Sequence, residues 1–260
     1  MSRRFVCVRI DSYESETHQK WVRRFLGGRF ENSVFVILAP NGQDWLSGSS
    51  RGPNQVFGSD ARVLSSMKAI ADRHPAKGEP SEAVVEDFHS VRQALNVASA
   101  DQRVLVLVAG AEEEIKASRR TMRAIASHKD VIGRFHFDFD AGYGWREKIK
   151  GAKAGSGIFL VRPGEFGMGG EVMGELAGGA ESGEILAALD RARAEFAETT
   201  AKKVYKEHVA KGGKLGVYFK GNVEYGEDRN GDGRIDHRGG RGASGGGRPG
   251  NPPGGGRPRR

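Results

Sequence analysis

Two apolar runs of this chain share a spacing that predicts the same backbone path for both. Each run begins at a serine and reaches a proline turn seven residues later, from Ser33 to Pro40 and from Ser156 to Pro163. Short, uniformly apolar runs bounded by turn residues are typical of buried central strands. Each run also follows another strand candidate that ends in aspartate, at Phe5–Asp11 and Arg134–Asp140. We therefore expect an α/β protein with an internal repeat.

Composition limits the class of protein. A chain of 260 residues, 37% of them hydrophobic, can form one large or two small domains. It contains no apolar run of about 18 residues, as a membrane span requires, and its first residues do not resemble a signal peptide. The single cysteine, Cys7, excludes an intramolecular disulfide and a CxxC motif. We expect Cys7 to be a buried strand residue, no membrane contact, and a cytoplasmic location for the sequence as written.

The positive charge of the chain is concentrated at its C-terminus. The formal net charge is +8, and residues 238–260 carry six arginines and no acidic residue. This Gly/Arg-rich segment cannot bury a core, so we expect a disordered tail. Arginines in such tails can contact RNA phosphates, but no aromatic residue here offers a stacking surface. Weak polyanion contact is one hypothesis for the tail, and a solvated linker is the other.

Changes in composition divide the chain into five parts. Pro75 to Pro80 is rich in Pro, Gly and charged residues, which indicates a linker. The predicted organisation is a partial α/β domain, a linker, a fuller α/β domain, a helix end with a strand-like extension, and a loop with the tail. Their bounds are 1–75, 76–82, 83–200, 201–226 and 227–260.

The fuller block follows a clear order of elements. A helix is predicted at Val84–Ala98, and the strongest strand signal is Val104–Val108. A helix over Glu112–His128 has acidic residues in its first turn, as the helix dipole favours. The remaining elements are a strand to Asp140, a short helix at Trp145–Ile149, a strand at Ile158–Val161, a return strand at Val172–Leu176, and a helix beginning at Ser182.

This order resembles the thioredoxin-like fold, a three-layer sandwich in which helices flank a mixed sheet whose last two strands form a hairpin before the final helix. The resemblance covers roughly residues 83–198. Residues 4–74 resemble the second half of the same fold. The resemblance rests on the order of elements and not on a sequence signature.

The resemblance implies a site that this sequence does not complete. The family's CxxC motif would fall after Val104–Val108, where the chain has Ala111-Glu112-Glu113-Glu114-Ile115-Lys116. The family's cis-proline would fall at Ser156 and, in the first block, at Ser33. Thiol-disulfide exchange needs a thiolate and a resolving partner. We therefore expect a non-catalytic interaction or structural module with no cofactor, whose protein partner the sequence does not identify.

The incomplete first block leaves a gap in its predicted sheet. In a thioredoxin-like sheet, the strands matching Phe5–Ile10 and Val34–Leu38 do not touch, because the missing active-site strand lies between them. The two strands could pair directly, or Leu215–Phe219 could fill the gap. Alternatively, the true start lies upstream and supplies a strand and a CxxC motif. The protein would then be a periplasmic or secreted thiol-disulfide protein.

One segment near the C-terminus matches part of a calcium-binding loop. Residues 228–236 carry oxygen ligands at positions 1, 3, 5 and 9 and a glycine at position 6 of an EF-hand or dockerin-like pattern. Position 12, which needs a carboxylate, is Gly239. The predicted weak calcium site comprises Asp228, Asn230, Asp232, Asp236 and, through its backbone carbonyl, Arg234. The alternative is a polar turn.

Other charged residues have simpler explanations. Glu112, Glu113 and Glu114 are expected to complement a helix N-terminus. Asp138 and Asp140 lie on one face of a strand, and we interpret them as turn or cap residues. The seven histidines are scattered, so no histidine metal site is predicted. The lysines at 202, 203, 206 and 211 are interpreted as the solvated end of a long helix.

Overall fold

A computed structural model of the chain describes residues 4–5, 8, 10–75, 85–219, 221–224 and 226–236. The Gly/Arg-rich tail at 238–260, the linker at 76–82 and Cys7 lie outside these residues. So does much of the predicted first strand, and its described members Phe5, Val8 and Ile10 are not in a strand. Contacts divide the chain into two units, residues 1–76 with 221–260, and residues 77–220.

Three α-helices lie within the described residues of the first unit. Helix α1 spans Glu16–Phe25, α2 spans Pro53–Phe57 and α3 spans Asp60–Arg73. Ser15 caps α1 by accepting from the His18 backbone N–H. Its apolar cluster is small and consists of the buried Val22, Leu26 and Phe30; Phe25, Ile37, Ile70 and Ala71 are buried elsewhere in the unit.

The apolar run Val34–Leu38 is not a central strand. Ile37 is its only buried member, and the run makes two isolated bridges, Phe35 with Ser50 and Leu38 with Trp45. Among the described residues of the first unit, β pairing is confined to such isolated bridges. The predicted proline turn is present, because the Ala39 N–H bonds Asp44 O at 2.8 Å across it. The repeat in the sequence therefore does not produce a repeated sheet.

A segment from the end of the chain completes the first unit. Phe30 and Asp228 exchange two backbone hydrogen bonds of 2.8 Å each, and Ile235 packs on the Phe30 cluster. Asn222 N–H donates to Tyr13 O at 2.9 Å. Leu215–Phe219, the segment expected to fill the gap, instead belongs to the second unit and contains no strand.

The second unit is a mixed α/β structure built on one sheet. Its elements in chain order are α4 (Val91–Ala100), β1 (Val104–Ala109), α5 (Glu112–Ser127), β2 (Phe135–Asp140), a 3-10 turn (Gly144–Glu147), β3 (Ile149–Lys150), β4 (Gly157–Pro163), β5 (Gly170–Leu176), α6 (Ser182–Thr199) and α7 (Tyr205–Lys214).

The sheet has five strands in the order β2-β1-β4-β5-β3. β1 runs parallel to β2, to which α5 connects it, and antiparallel to β4. β4 and β5 form an antiparallel hairpin, and the short β3 pairs in parallel with β5. The strands predicted around 104–108, 134–140, 158–161 and 172–176 are all confirmed.

Helices cover both faces of this sheet. Alternate residues of β1 and β2 pack with α5 and α6 in one apolar cluster, which includes Phe137, Met122 and Ile185. The other residues of β1 pack with α4 and Trp145 in a second cluster. All six residues of β1 are buried, as expected for a strand covered on both faces.

The short helix predicted at Trp145–Ile149 is a 3-10 turn at Gly144–Glu147, and Ile149 begins β3. Two longer helices also differ from the sequence prediction. Residues 85–90 are not helical, because Ser90 accepts from the Gln93 N–H and starts α4 there. Lys203 lies in a break between α6 and α7 and not at the end of one long helix. The break places its side chain against the β4–β5 hairpin turn, where it contacts Glu165.

The β4–β5 turn approaches the α4 backbone closely at Gly167. Its φ is +69°, and a Cβ on this residue would lie 2.8 Å from Leu95 O and still closer to the Asn96 Cα. Only glycine combines the left-handed conformation with such a close approach.

We expect Gly167→Ala to lower the free energy of unfolding by roughly 2–4 kcal/mol, because strain and overpacking add at this site. Chemical denaturation monitored by circular dichroism measures the change. Gly179→Ala is the matched control, since a Cβ there meets nothing within 4 Å. Equal stability of the two variants would contradict this account of the turn.

Candidate functional site

The point where β1 runs into α5 is where the thioredoxin-like resemblance places its cysteine pair. Ala111 N–H donates to Glu114 Oε2 at 2.9 Å, so the Glu114 side chain caps the first turn of α5. A Cβ built on Gly110 would lie 3.2 Å from the Ser156 Cβ. The fold thus brings together Gly110, Glu114 and Ser156. This set contains no thiol and no acid-base pair.

The acidic run behaves as its sequence predicts. Glu112, Glu113 and Glu114 form the first turn of α5, where carboxylates interact favourably with the helix dipole. The peptide bonds at Ser156 and Ser33 are trans. Ser33 is exposed in the first unit.

The calcium-like loop is held by hydrogen bonds to its own side chains. Asp228 is fully buried, and its Oδ1 accepts from Gly231 N–H at 2.7 Å. Asn230 Oδ1 accepts from Asp232 N–H at 3.0 Å, and Asp232 Oδ1 accepts from Arg234 N–H at 2.8 Å. Asp236 Oδ2 accepts from Arg229 N–H at 2.8 Å. These bonds shape the loop as a turn.

The residues present do not form a calcium cage. Calcium takes six to eight oxygen ligands at 2.3–2.6 Å, and carboxylates dominate its sites. Among the described residues, no three acidic, histidine or cysteine side chains come close enough together to hold a metal ion. Asp228 is also paired with a cation of the chain, the Arg23 guanidinium. Calcium binding by Asp228, Asn230, Asp232, Arg234 and Asp236 stays a prediction.

Asp138 is not the turn or cap residue that the sequence suggested, because its carboxyl is buried within β2. Asp138 is fully buried in β2, and its Oδ1 accepts from Phe88 N–H at 2.9 Å. Its other oxygen, Oδ2, is buried with no hydrogen-bond donor. Burial, with an added contribution from the nearby Asp87 carboxyl, raises the pKa of Asp138 to about 8. With a pKa near 8, the neutral form of the Asp138 carboxyl predominates at pH 7.

The Asp87 carboxyl accepts hydrogen bonds from two groups around it. Arg119 Nη2 of α5 donates to Asp87 Oδ2 at 2.6 Å, and His89 N–H donates to Asp87 Oδ1 at 2.9 Å. The Arg119 guanidinium lies 4.1 Å from the centre of the Phe139 ring. The Arg119–Asp87 contact therefore links residues 87–89 to α5, and the Phe88–Asp138 hydrogen bond links them to β2.

A second polar group secures the same segment. The buried His136 contacts a carboxylate through each ring nitrogen, Glu86 at 2.8 Å and Asp101 at 3.0 Å. Glu86 also accepts from Phe137 N–H at 3.3 Å on the outer edge of β2. Side chains thus take the place of a neighbouring strand along this edge.

Asp138 itself is fully buried and is not open to a substrate. Around it, Glu86 pairs the Phe137 N–H, a group that the sheet edge would otherwise leave without a partner. The sequence contains a signal for these polar groups. Phenylalanines at 135, 137 and 139 alternate with His136, Asp138 and Asp140, so a buried strand here must present polar side chains on one face.

A serine and a lysine also meet in the second unit. Lys203 Nζ lies 2.8 Å from Ser99 Oγ, beside a cleft of about 560 Å³. Desolvation lowers the pKa of Lys203, although Glu165 opposes this shift. The ammonium also donates to Ser99 O at 2.8 Å and Glu165 O at 2.5 Å, which uses all three of its protons. The pair therefore anchors the α6–α7 connection and does not present a base to the serine.

Comparisons with known proteins add no assignment, since no protein-family model matches the chain and a search of curated proteins finds no match. Across the residues that the structure describes, the helices are too short or too polar to cross a membrane.

We expect Asp138→Asn to alter the pH dependence of stability. The pKa of this carboxyl rises from 3.8 in the unfolded chain to about 8 in the fold. The wild-type stability due to this group is complete below about pH 4 and is lost as pH rises through 8. The amide can accept from Phe88 and donate to Asp87 at any pH. The variant should therefore gain stability relative to wild type between pH 4 and 8, by up to about 1.4 kcal/mol per pH unit.

Urea denaturation at a series of pH values measures this difference. Asp140→Asn, on the same face of β2, controls for the amide substitution itself. Parallel stability profiles of wild type and Asp138→Asn would show that Asp138 does not carry the proton.

Proposed function

We propose that this chain is a non-catalytic thioredoxin-like protein that acts as an interaction or structural module. The order of elements in the second unit supports the proposal. A strand, a helix and a parallel strand are followed by an antiparallel hairpin and a long final helix. Helices lie on both faces of the mixed sheet. This is the arrangement that the resemblance leads one to expect.

The proposal that the protein is not catalytic rests on the capped turn after β1. Glu114 bonds the Ala111 N–H where the family has a reactive thiol, and the neighbouring residue before β4 is Ser156. A dithiol mechanism needs an attacking thiolate and a second thiol. The chain has one cysteine, Cys7, at a distant place in the sequence.

Exposed apolar side chains support the interaction part of the proposal. Twelve large apolar side chains of the described residues are exposed, and five of them lie within residues 204–218. Concentrated apolar exposure marks protein-binding surfaces. The five residues are Val204, Tyr205, Val209, Leu215 and Tyr218, which we call the α7 surface.

We expect no thiol-disulfide exchange by this chain. Reduction of insulin by dithiothreitol, followed by turbidity, should proceed at the same rate with wild type, with Cys7→Ser and with buffer alone. A rate above the Cys7→Ser control would contradict the proposal, because it would require a reactive thiol.

The interaction role predicts a separate result on the α7 surface. Tyr205 and Val209 are 84% and 54% exposed and lie one helical turn apart. We expect the double variant Tyr205→Ser/Val209→Ser to keep the wild-type melting temperature. When each protein is immobilised on an affinity column, the double variant should no longer bind proteins that the wild type binds. Leu64→Ser, which changes an exposed apolar residue of the first unit, should retain them. An unchanged set of bound proteins in the double variant would contradict a role for this surface.

A further inference from the structure

The calcium-like loop has a cation of its own in Arg23. This residue lies in α1, and its Nη1 donates to Asp228 Oδ2 and, at 3.1 Å, to Gly28 O. Its guanidinium carbon lies 5.5 Å from the centre of the Phe30 ring. The arginine side chain is 20% exposed and the aspartate side chain is not exposed at all. The pair is therefore largely shielded from water. Charge-charge interactions are stronger in such surroundings than in water.

Three of the roughly four acceptor positions of the Asp228 carboxylate are filled. Its Oδ2 accepts from Gly233 N–H at 3.0 Å as well as from Arg23, and its Oδ1 accepts from Gly231 N–H at 2.7 Å. Arg23 lowers the pKa of Asp228, which keeps the carboxylate ionised. A metal ion bound to this carboxylate would have to displace the guanidinium or lie next to another positive charge.

The other residues of the loop do not offer calcium enough additional ligands to outweigh the competition from Arg23 for Asp228. The side chains of Asn230, Asp232 and Asp236 accept from backbone amides within the loop. Position 12 of the pattern is Gly239, which has no carboxylate. A calcium ion would therefore gain few ligands in exchange for displacing Arg23.

We propose that Arg23 is the built-in cation of this loop and that it takes the place a calcium ion has in related-looking loops. The guanidinium neutralises the first carboxylate of the pattern, Asp228, and fixes the loop without a metal. Because Arg23 and Asp228 are 205 residues apart in sequence, the same contact holds the C-terminal segment on the N-terminal helix. The Phe30–Asp228 backbone bridge and the packing of Ile235 lie beside it.

Calorimetric titration of the full wild-type chain with calcium chloride tests the proposal directly, and it needs no variant. We expect no binding with a dissociation constant below about 1 mM, which is the weak end of the range for calcium modules. Tighter binding would overturn the proposal, because the loop would then prefer calcium to Arg23.

Thermal unfolding of variants tests the role of the arginine itself. Arg23→Met should lower the melting temperature by about 5 °C or more, and calcium at 10 mM should raise it in this variant but not in wild type. Arg24→Met is the matched control, since among the described residues this neighbouring arginine bonds the backbone of Gln43 at 3.2 Å and lies over the Phe25 ring but contacts no carboxylate. Loss of stability in both variants alike, or in neither, would overturn the proposal.

A double-mutant cycle keeps the test valid if one variant unfolds. If the two groups act as a pair, Arg23→Met/Asp228→Asn should be no less stable than Asp228→Asn alone, which leaves the guanidinium unpaired. Arg23→Lys keeps the positive charge, so it should lower the melting temperature by less than Arg23→Met does. Fully additive losses would contradict pairing.

Discussion

Complete burial of β1 is the constraint on which the second unit depends. A strand whose six residues are all apolar and buried needs a strand on each side and a helical layer on each face. The crossover through α5 supplies β2, and the β4–β5 hairpin supplies the other side. Helices α5 and α6 cover one face and α4 covers the other. The order of elements in the chain follows from these requirements.

The outer edge of β2 is closed in a different way. No described strand pairs along this edge, and residues 86–88 cover it with side-chain and backbone groups. Glu86 and Asp138 supply acceptors for the N–H groups of Phe137 and Phe88. The cost is a buried carboxyl whose pKa is raised to about 8. Sheet closure and the unusual titration of Asp138 therefore have the same cause.

The first unit depends on residues distant in sequence. Its core is small, and the C-terminal segment adds Ile235 and the Phe30–Asp228 bridge to it. The Arg23–Asp228 pair is the polar part of this attachment. A segment that resembles a metal-binding loop is, on our proposal, the structural end of a discontinuous unit.

Sequence periodicity was enough to predict most elements of the second unit. The strand at 104–109 and the helix at 112–127 carry local signals, namely an apolar run and an acidic first turn. Periodicity did not predict that α4 begins at Val91, because the residues before it are equally compatible with a helix. It did not predict the break before α7 either, since that depends on the contacts of Lys203 with Ser99 and Glu165. The candidate site residues were visible, but their partners were not.

What the sequence alone determined is the presence of apolar runs, helix caps and proline turns, because these depend on neighbours within a few residues. It also limited thiol chemistry, since a chain with one cysteine cannot form an internal dithiol. Only the tertiary structure decided which of the two similar runs became a central strand. Ile158–Val161 lies between β1 and β5, whereas Val34–Leu38 forms only isolated bridges. The tertiary structure also decided that Arg23 pairs with Asp228 and that Asp138 lies beside Asp87. Burial and long-range contacts are properties of the fold and not of any local segment.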